Sequence, residues 1–289
     1  MNMSSNHEDK FVEYIAGGWT GCFHHCYPVT RHAAWESWHA RKSPEIQMLW
    51  HCNSLKEAHE NYSWTGQDAS GTFENLSKEL ICAVRKNNSD KAKSLCRDIF
   101  KWGGVGKKRN DRSIIWLNQA SDLCASLNLA KKLLLGSSPL SEFNGTKLLM
   151  NSAMTKVYAA LAPRCLAIYD GRVGAALGLL AKQYLYSVEA SEVPEELQYR
   201  WGASQGKHTA GQKDRRDPSD DRFKFNRLFG RKPDHTHAEL MRRASTLLSK
   251  VANKIDPNDQ MVPGKLERAL FMIGYDVRNN NCRCSKQQN

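Results

Sequence analysis

Apolar residues recur along much of the chain at three- and four-residue steps, the spacing that gathers them on one face of an α-helix. Phe73, Leu76, Leu80, Ile81 and Val84 make the first clear series. Residues 90–100 read as a second helix, with Ser89 as its N-cap and the Gly103-Gly104-Val105-Gly106 run as its end. Residues 112–127 continue as one helix through Ile115, Leu117 and Leu123. Residues 141–149 lead into a helix over 155–161, which Pro163 stops because proline lacks the N–H that an interior turn needs. A short apolar segment ending at Tyr169-Asp170 precedes a long apolar helix over 171–186. Helical spacing returns over 237–255, with Leu240, Leu247, Leu248, Val251 and Ile255 on one side, and over 266–275.

Two stretches break this pattern. Residues 1–75 carry Trp19, Trp35, Trp38, Trp50 and Trp64 without a clean period, and predict one or two helices around 31–60 in an otherwise irregular region. Residues 199–235 hold Gly202, Gly206, Gly211, Pro218, Gly230 and Pro233 among many charges, the composition of a long loop or insertion that is functional or disordered. No strand ladder is evident, so the expected class is mainly α. The expected organisation is an N-terminal region (1–75), a helical core (76–198), a polar insertion (199–235), C-terminal helices packing on the core (236–278) and a frayed tail (279–289).

A chain of 289 residues can bury a sizeable core unaided. Its start is polar and no run approaches the roughly 18–20 apolar residues that span a bilayer, so a soluble, cytoplasmic protein is expected. Lys and Arg number 42 against 30 Asp and Glu, for a net charge of +12. Such a balance suits a polyanionic partner, since each neutralised phosphate releases counterions; it also suits a soluble protein that is merely basic. The nine cysteines are odd in number, and Cys82, Cys96, Cys124 and Cys165 sit in apolar helical contexts. That points to buried thiols in a reducing compartment rather than a disulfide framework. Cys22 and Cys26 with His24, His25 and His32, and the remote Cys282 and Cys284, match no strong zinc spacing, so neither metal nor cofactor is expected.

Three segments could carry chemistry. Lys156 lies in a helix and Asp170 opens the next one, where the helix dipole favours a carboxylate, so the two can face one crevice. A lysine in an apolar pocket can attack a sugar carbon, and a carboxylate can stabilise positive charge developing there. The plain alternative makes Asp170 an N-cap and Lys156 a solvated surface lysine. Lys101-Trp102-Gly103-Gly104-Val105-Gly106-Lys107-Lys108-Arg109 could grip a phosphate through glycine N–H groups and cations, with Trp102 stacking on a base or wedging into a duplex. It could equally be a glycine C-cap and a solvated basic loop. Arg215, Arg216, Arg222, Lys224, Arg227, Arg231 and Lys232 interleave with Phe223, Phe225 and Phe229, as in nucleic-acid grooves, although Asp214, Asp217, Asp220 and Asp221 dilute the charge.

Thr155-Lys156-Val157-x-Ala159 resembles the catalytic-lysine segment of the helix–hairpin–helix DNA glycosylases, in particular their 8-oxoguanine branch. Ala167-Ile168-Tyr169-Asp170-Gly171-Arg172-Val173 is similar to that superfamily's catalytic-aspartate segment, and 267–276 to the closing helix of bacterial relatives. The resemblance covers roughly 76–190 and 237–277. The superfamily places a Gly-Val-Gly hairpin directly before the lysine; residues 149–154 contain no glycine. The resemblance implies excision of a flipped base to an abasic site, with Asp170 and Lys156 catalytic; Arg172 and, on the reading of the glycine-rich basic turn, Lys101, Trp102, Gly104, Lys107, Lys108 and Arg109 are expected to touch double-stranded DNA. It extends to bacterial antiviral glycosylases that remove glucosylated 5-hydroxymethylcytosine from phage DNA, and so implies modified phage DNA as the partner of a monomeric enzyme. An 8-oxoguanine repair glycosylase and a non-catalytic helical DNA-binding protein remain the alternatives. On this reading, charge reversal at Lys107, Lys108 and Arg109 weakens DNA binding for all sequences. It also flattens the log–log salt dependence by about 0.9 for each phosphate no longer neutralised. A salt titration of affinity for wild type and variant checks this, and parallel curves would count against it.

Overall fold

The computed structural model describes residues 5–28, 49–62, 64, 72–105, 111–204, 212–229 and 233–278. Helix α1 (Ser5–Thr20) leads into an antiparallel pair of strands, β1 (His25–Pro28) and β2 (Leu49–Cys52), with Tyr27 opposite Trp50. There follow α2 (Leu55–Glu60), α3 (Phe73–Arg85), α4 (Ser89–Trp102), α5 (Arg112–Gln119), α6 (Leu123–Leu135), α7 (Ser152–Leu161) and α8 (Gly171–Ser187). A 3₁₀ turn (Glu195–Leu197), α9 (Pro233–Ile255) and α10 (Val262–Ile273) complete the described order. The fold is mainly α. Among the described residues, no helix is long and apolar enough to cross a membrane.

Caps decide several boundaries that periodicity blurs. Asn88, not Ser89, caps α4 by accepting from the Lys91 N–H, after Asn87 turns the chain at φ 52°. The expected single helix over 112–127 is two, because the Asp122 side chain accepts from the Ala125 N–H and starts α6 afresh. Residues 141–149 form turns rather than a helix. There Asn144 Oδ1 takes the N–H groups of Thr146 and Lys147, and Gly145 sits at φ 86°. In the N-terminal region, α1 and the strand pair go beyond the sequence expectation: each strand has only four residues, too few for a periodic signal. Of the helices expected around 31–60, only α2 lies among the described residues; 29–48 lie outside them.

The thiol expectation needs correction. Cys96 and Cys124 are buried, but Cys82 and Cys165 are exposed and Cys26 is disulfide-bonded. Cys82 falls off the stripe of Leu76, Leu80, Ala83 and Val84 that α3 buries.

Helix α8 is buried on nearly every side from Gly171 to Ala181, with α1 and α10 against it. Helix α7 packs on α3, α4 and α6, and α9 packs on α1, α6 and α10. Between α7 and α8 the chain runs without helix through Leu166–Asp170, and side chains of two later helices satisfy its backbone. Ser245 Oγ accepts from the Ala167 N–H at 3.0 Å, and Glu267 Oε2 accepts from the Ile168 N–H at 2.9 Å. His237 Nε2 lies 2.7 Å from the Tyr169 carbonyl, so that nitrogen carries the hydrogen. The described part of the insertion folds onto the start of α8. Trp201 exchanges backbone hydrogen bonds with Asn226 and Leu228, and Phe223 and Phe225 are buried. Contact is close: a Cβ on Gly174 would lie 2.0 Å from the Arg200 carbonyl oxygen. Gly174→Ala is therefore expected to lower stability by about 1–3 kcal/mol or more through overpacking. Urea unfolding midpoints check this; an unchanged midpoint would show that the 200–203 segment yields freely.

Candidate functional site

A cavity of about 660 Å³ opens where the first turns of α7 and α8, the end of α4, one face of α10 and the insertion meet. Asp170 is the N-cap of α8. Its Oδ1 accepts from the N–H groups of Arg172 (2.9 Å) and Val173 (3.2 Å). Its Oδ2 lies 3.6 Å from Lys156 Nζ. Lys156 is buried and is not a solvated surface lysine; it also donates to the Ser152 carbonyl at 3.0 Å. The amine reaches the cavity past Gly103, where any Cβ would lie 2.4 Å from Lys156 Cδ. The capping reading of Asp170 thus holds, and the carboxylate still keeps one oxygen on the cavity side.

Aromatic rings and cations wall this space. Tyr62, Trp64, Trp102, Phe229 and Phe271 supply the rings, and Arg112, Lys156, Arg172, Arg215 and Arg216 the cations. Asp170 and Glu267 are the acidic side chains of the lining. Burial alone would raise the Asp170 carboxyl. Lys156, Arg216, the Val173 N–H and Arg172 together overcome it and hold the group below its usual range. Burial pushes the Glu267 carboxyl up to about 7, with the Ile168 N–H opposing and Asp170 reinforcing the rise. Two carboxyls in one cavity thus sit in opposite protonation regimes, the arrangement that separates an anion from a proton donor. Burial likewise lowers the His237 imidazole, consistent with a neutral ring.

The expected site residues are partly brought together. Asp170, Lys156, Arg172, Trp102 and Gly104 line the cavity. Trp102 is buried against Phe73, with ring centroids 4.6 Å apart, and forms wall rather than a projecting wedge. Lys101 is exposed on the last turn of α4 and is not part of the lining. Lys107, Lys108 and Arg109 lie outside the described residues. The insertion does reach the cavity, through Gly202, Ala203, Arg215, Arg216, Leu228 and Phe229. Gln212 and Asn226, polar residues of that insertion, do not line it. Phe229 stands at the cavity with 75 % of its surface exposed. His24 and His25 are bonded to Asn53 and to the Asp276 carbonyl, and no group of His, Cys, Asp or Glu fit for a metal occurs among the described residues.

Sequence reasoning missed Glu267 and His237 as site residues. Neither carries a local signal: Glu267 stands beside Lys265 and Arg268 on a helix with an apolar face, and the partners of both residues come from far along the chain. Compared with protein-family models, curated proteins and solved structures, the chain matches none.

The raised Glu267 carboxyl has a defined sign in stability. The folded protein keeps this proton up to about 7, whereas an ordinary glutamate releases it near 4.5. Its contribution is therefore complete below about 4.5 and is lost as pH rises through about 7. Glu267→Gln, which can still accept from Ile168, removes this slope. The variant should gain stability relative to wild type between pH 5 and pH 8 in urea unfolding. Parallel pH profiles would refute the assignment.

Proposed function

We propose that this chain is a DNA glycosylase that draws a modified nucleotide into the cavity and releases its base, leaving an abasic site. One observation carries the reading: the Asp170 carboxylate has one oxygen fixed on the N–H groups of α8 and the other turned to a buried lysine in a cavity walled by rings and cations. Bases stack on aromatic faces, and cations attract the nucleic-acid backbone. The volume of about 660 Å³ falls inside the roughly 300–1,000 Å³ of small-molecule pockets, with room for more than an unmodified base. The mainly α fold fits the helical architecture of such enzymes.

In this reading, the C1′–N bond of the extruded nucleotide lengthens and positive charge builds on the sugar. Asp170 Oδ2 stabilises that charge or orients water toward C1′. Water forms the new C1′–O bond, and its proton passes to Asp170 or solvent. The base leaves with the electron pair of the broken bond, and Glu267, protonated near neutral pH, supplies its proton. Lys156, paired with Asp170, adds positive field; after passing its proton to Asp170 it can instead attack C1′ as the base departs, and the C1′–O4′ bond then breaks, O4′ taking a proton from the nitrogen, to leave a protonated Schiff base. Phe229, exposed at the cavity, suits insertion into the stack that the nucleotide leaves.

The substrate we propose is glucosylated 5-hydroxymethylcytosine in phage DNA, which fits an antiviral role. A sugar substituent needs space and buried hydrogen-bonding groups, and Asn151, Ser152, Arg112 and His237 line the same cavity. The test is an excision assay on duplexes carrying glucosylated hydroxymethylcytosine, unmodified cytosine and 8-oxoguanine. Abasic sites are expected in the first alone, with Asp170→Asn slowing release by about 10²–10⁴-fold at unchanged DNA affinity. Release of 8-oxoguanine alone would replace the substrate, and no release from any duplex would reduce the chain to a DNA-binding protein.

A further inference from the structure

Three guanidinium groups meet in the cavity wall. Arg172 comes from the first turn of α8, and Arg215 and Arg216 come from the insertion. Arg172 lies 4.3 Å from the Phe271 ring centroid and 5.1 Å from that of Tyr275. Arg215 lies 4.1 Å from the same Tyr275 ring and donates to its hydroxyl at 2.8 Å. The Arg216 side chain donates to the Ala203 carbonyl. Ring faces position a cation without bringing a counter-charge; the carboxylates acting on these arginines are Asp170 for Arg172, and Asp170 and Asp214 for Arg216.

The Asp170 carboxylate in the same cavity is already engaged. Its Oδ1 accepts two backbone N–H groups and its Oδ2 faces Lys156. Nη1 of Arg172 and Nε of Arg216 are buried and make no hydrogen bond among the described residues. Burial first and Arg172 next hold Arg216 down to about 10, with Arg215 adding to that repulsion and Asp170 and Asp214 opposing it. Burying like charges with unmet donors is costly unless a counter-charge arrives.

We propose that Arg172, Arg215 and Arg216 form a receptor for a phosphoryl group on the molecule that enters the cavity. Planar guanidinium forks match the non-bridging oxygens of a phosphoryl group, all three side chains line the cavity, and Arg172 and Arg216 each keep one unmet N–H donor. The proposal rests on the glycosylase reading for the carrier, a nucleotide, and on the arginine geometry for the site itself. The phosphoryl group can come from the DNA backbone beside the extruded nucleotide or from a substituent on its base.

Calorimetric titration of the full chain with dCMP, deoxycytidine and inorganic phosphate tests the site. The phosphate-bearing nucleotide should bind at least tenfold more tightly than the nucleoside, and inorganic phosphate should compete with it. Arg216→Gln should erase about tenfold of the dCMP affinity and leave deoxycytidine binding unchanged, whatever melting temperature is lost with its pairing to Asp170. A merely structural arginine would show stability lost and dCMP affinity kept. If the Gln variant fails to fold, Arg216→Lys, which keeps the charge and loses the fork, takes its place with the same expected loss. Equal binding of dCMP and deoxycytidine, or unaltered affinity in the variant, overturns the proposal.

A duplex with neutral methylphosphonate linkages flanking the modified nucleotide separates the sources. Weaker binding by wild type but not by Arg216→Gln assigns the site to the backbone; equal binding by wild type excludes the backbone and, because a glucosylated base carries no phosphoryl group, overturns the proposal for that substrate. Base release by a chain indifferent to dCMP would sink the anion site and keep the glycosylase reading. Phosphate binding by a chain that releases no base would do the opposite.

Discussion

Extended backbone buried between helices must find hydrogen-bond partners outside itself, and the Leu166–Asp170 segment finds them in α9 and α10. Ser245, His237 and Glu267 each hold one group of this strap, and Tyr169 exchanges hydrogen bonds with Arg200 through its hydroxyl. The position of Asp170 follows from these bonds as much as from its capping of α8. A carboxylate held at both its backbone and its side chain has little freedom left to lose. Helices that follow the strap by some 70 to 100 residues thus fix the geometry of the cavity floor.

The electrostatics of the cavity are a consequence of that placement. Gathering cations around Asp170 keeps it ionised despite its burial, and the cost of crowding those cations is spread over the rings of Phe271 and Tyr275. For Glu267 burial outweighs the pull of Arg268 and Lys156, and its carboxyl takes the opposite protonation preference. One cavity therefore holds a carboxyl kept below its usual range and another raised to about 7. Neither state is intrinsic to Asp or Glu; both are set by which helix delivers the side chain and what surrounds it.

The helical core was legible because its signals are local. The stripe of α3, the apolar run of α8 and the stop before Pro163 all lie within one element, and so do the residues that bring Lys156 and Asp170 to neighbouring helix ends. What escaped depends on distant partners. Residues 141–149 look helical until Asn144 is seen bonding its own backbone, and the strand pair exists only as a match between 25–28 and 49–52. Glu267 is an ordinary helical glutamate until Ile168 is brought against it from 99 positions away. For Arg215 and Arg216 the interleaved cations and rings left a DNA-contacting insertion and a solvated loop equally open, because their burial depends on neighbours from other segments.

Gly103 shows how such distant dependence constrains the history of the chain. The Lys156 stem passes through the space where a Cβ at 103 would stand. The two positions belong to different helices and share one volume, so a side chain at 103 would push the flexible end of Lys156 aside. The amine would then leave its place beside Asp170. Among descendants of a common ancestor, glycine at the end of α4 should therefore accompany lysine at 156 wherever that pairing is kept.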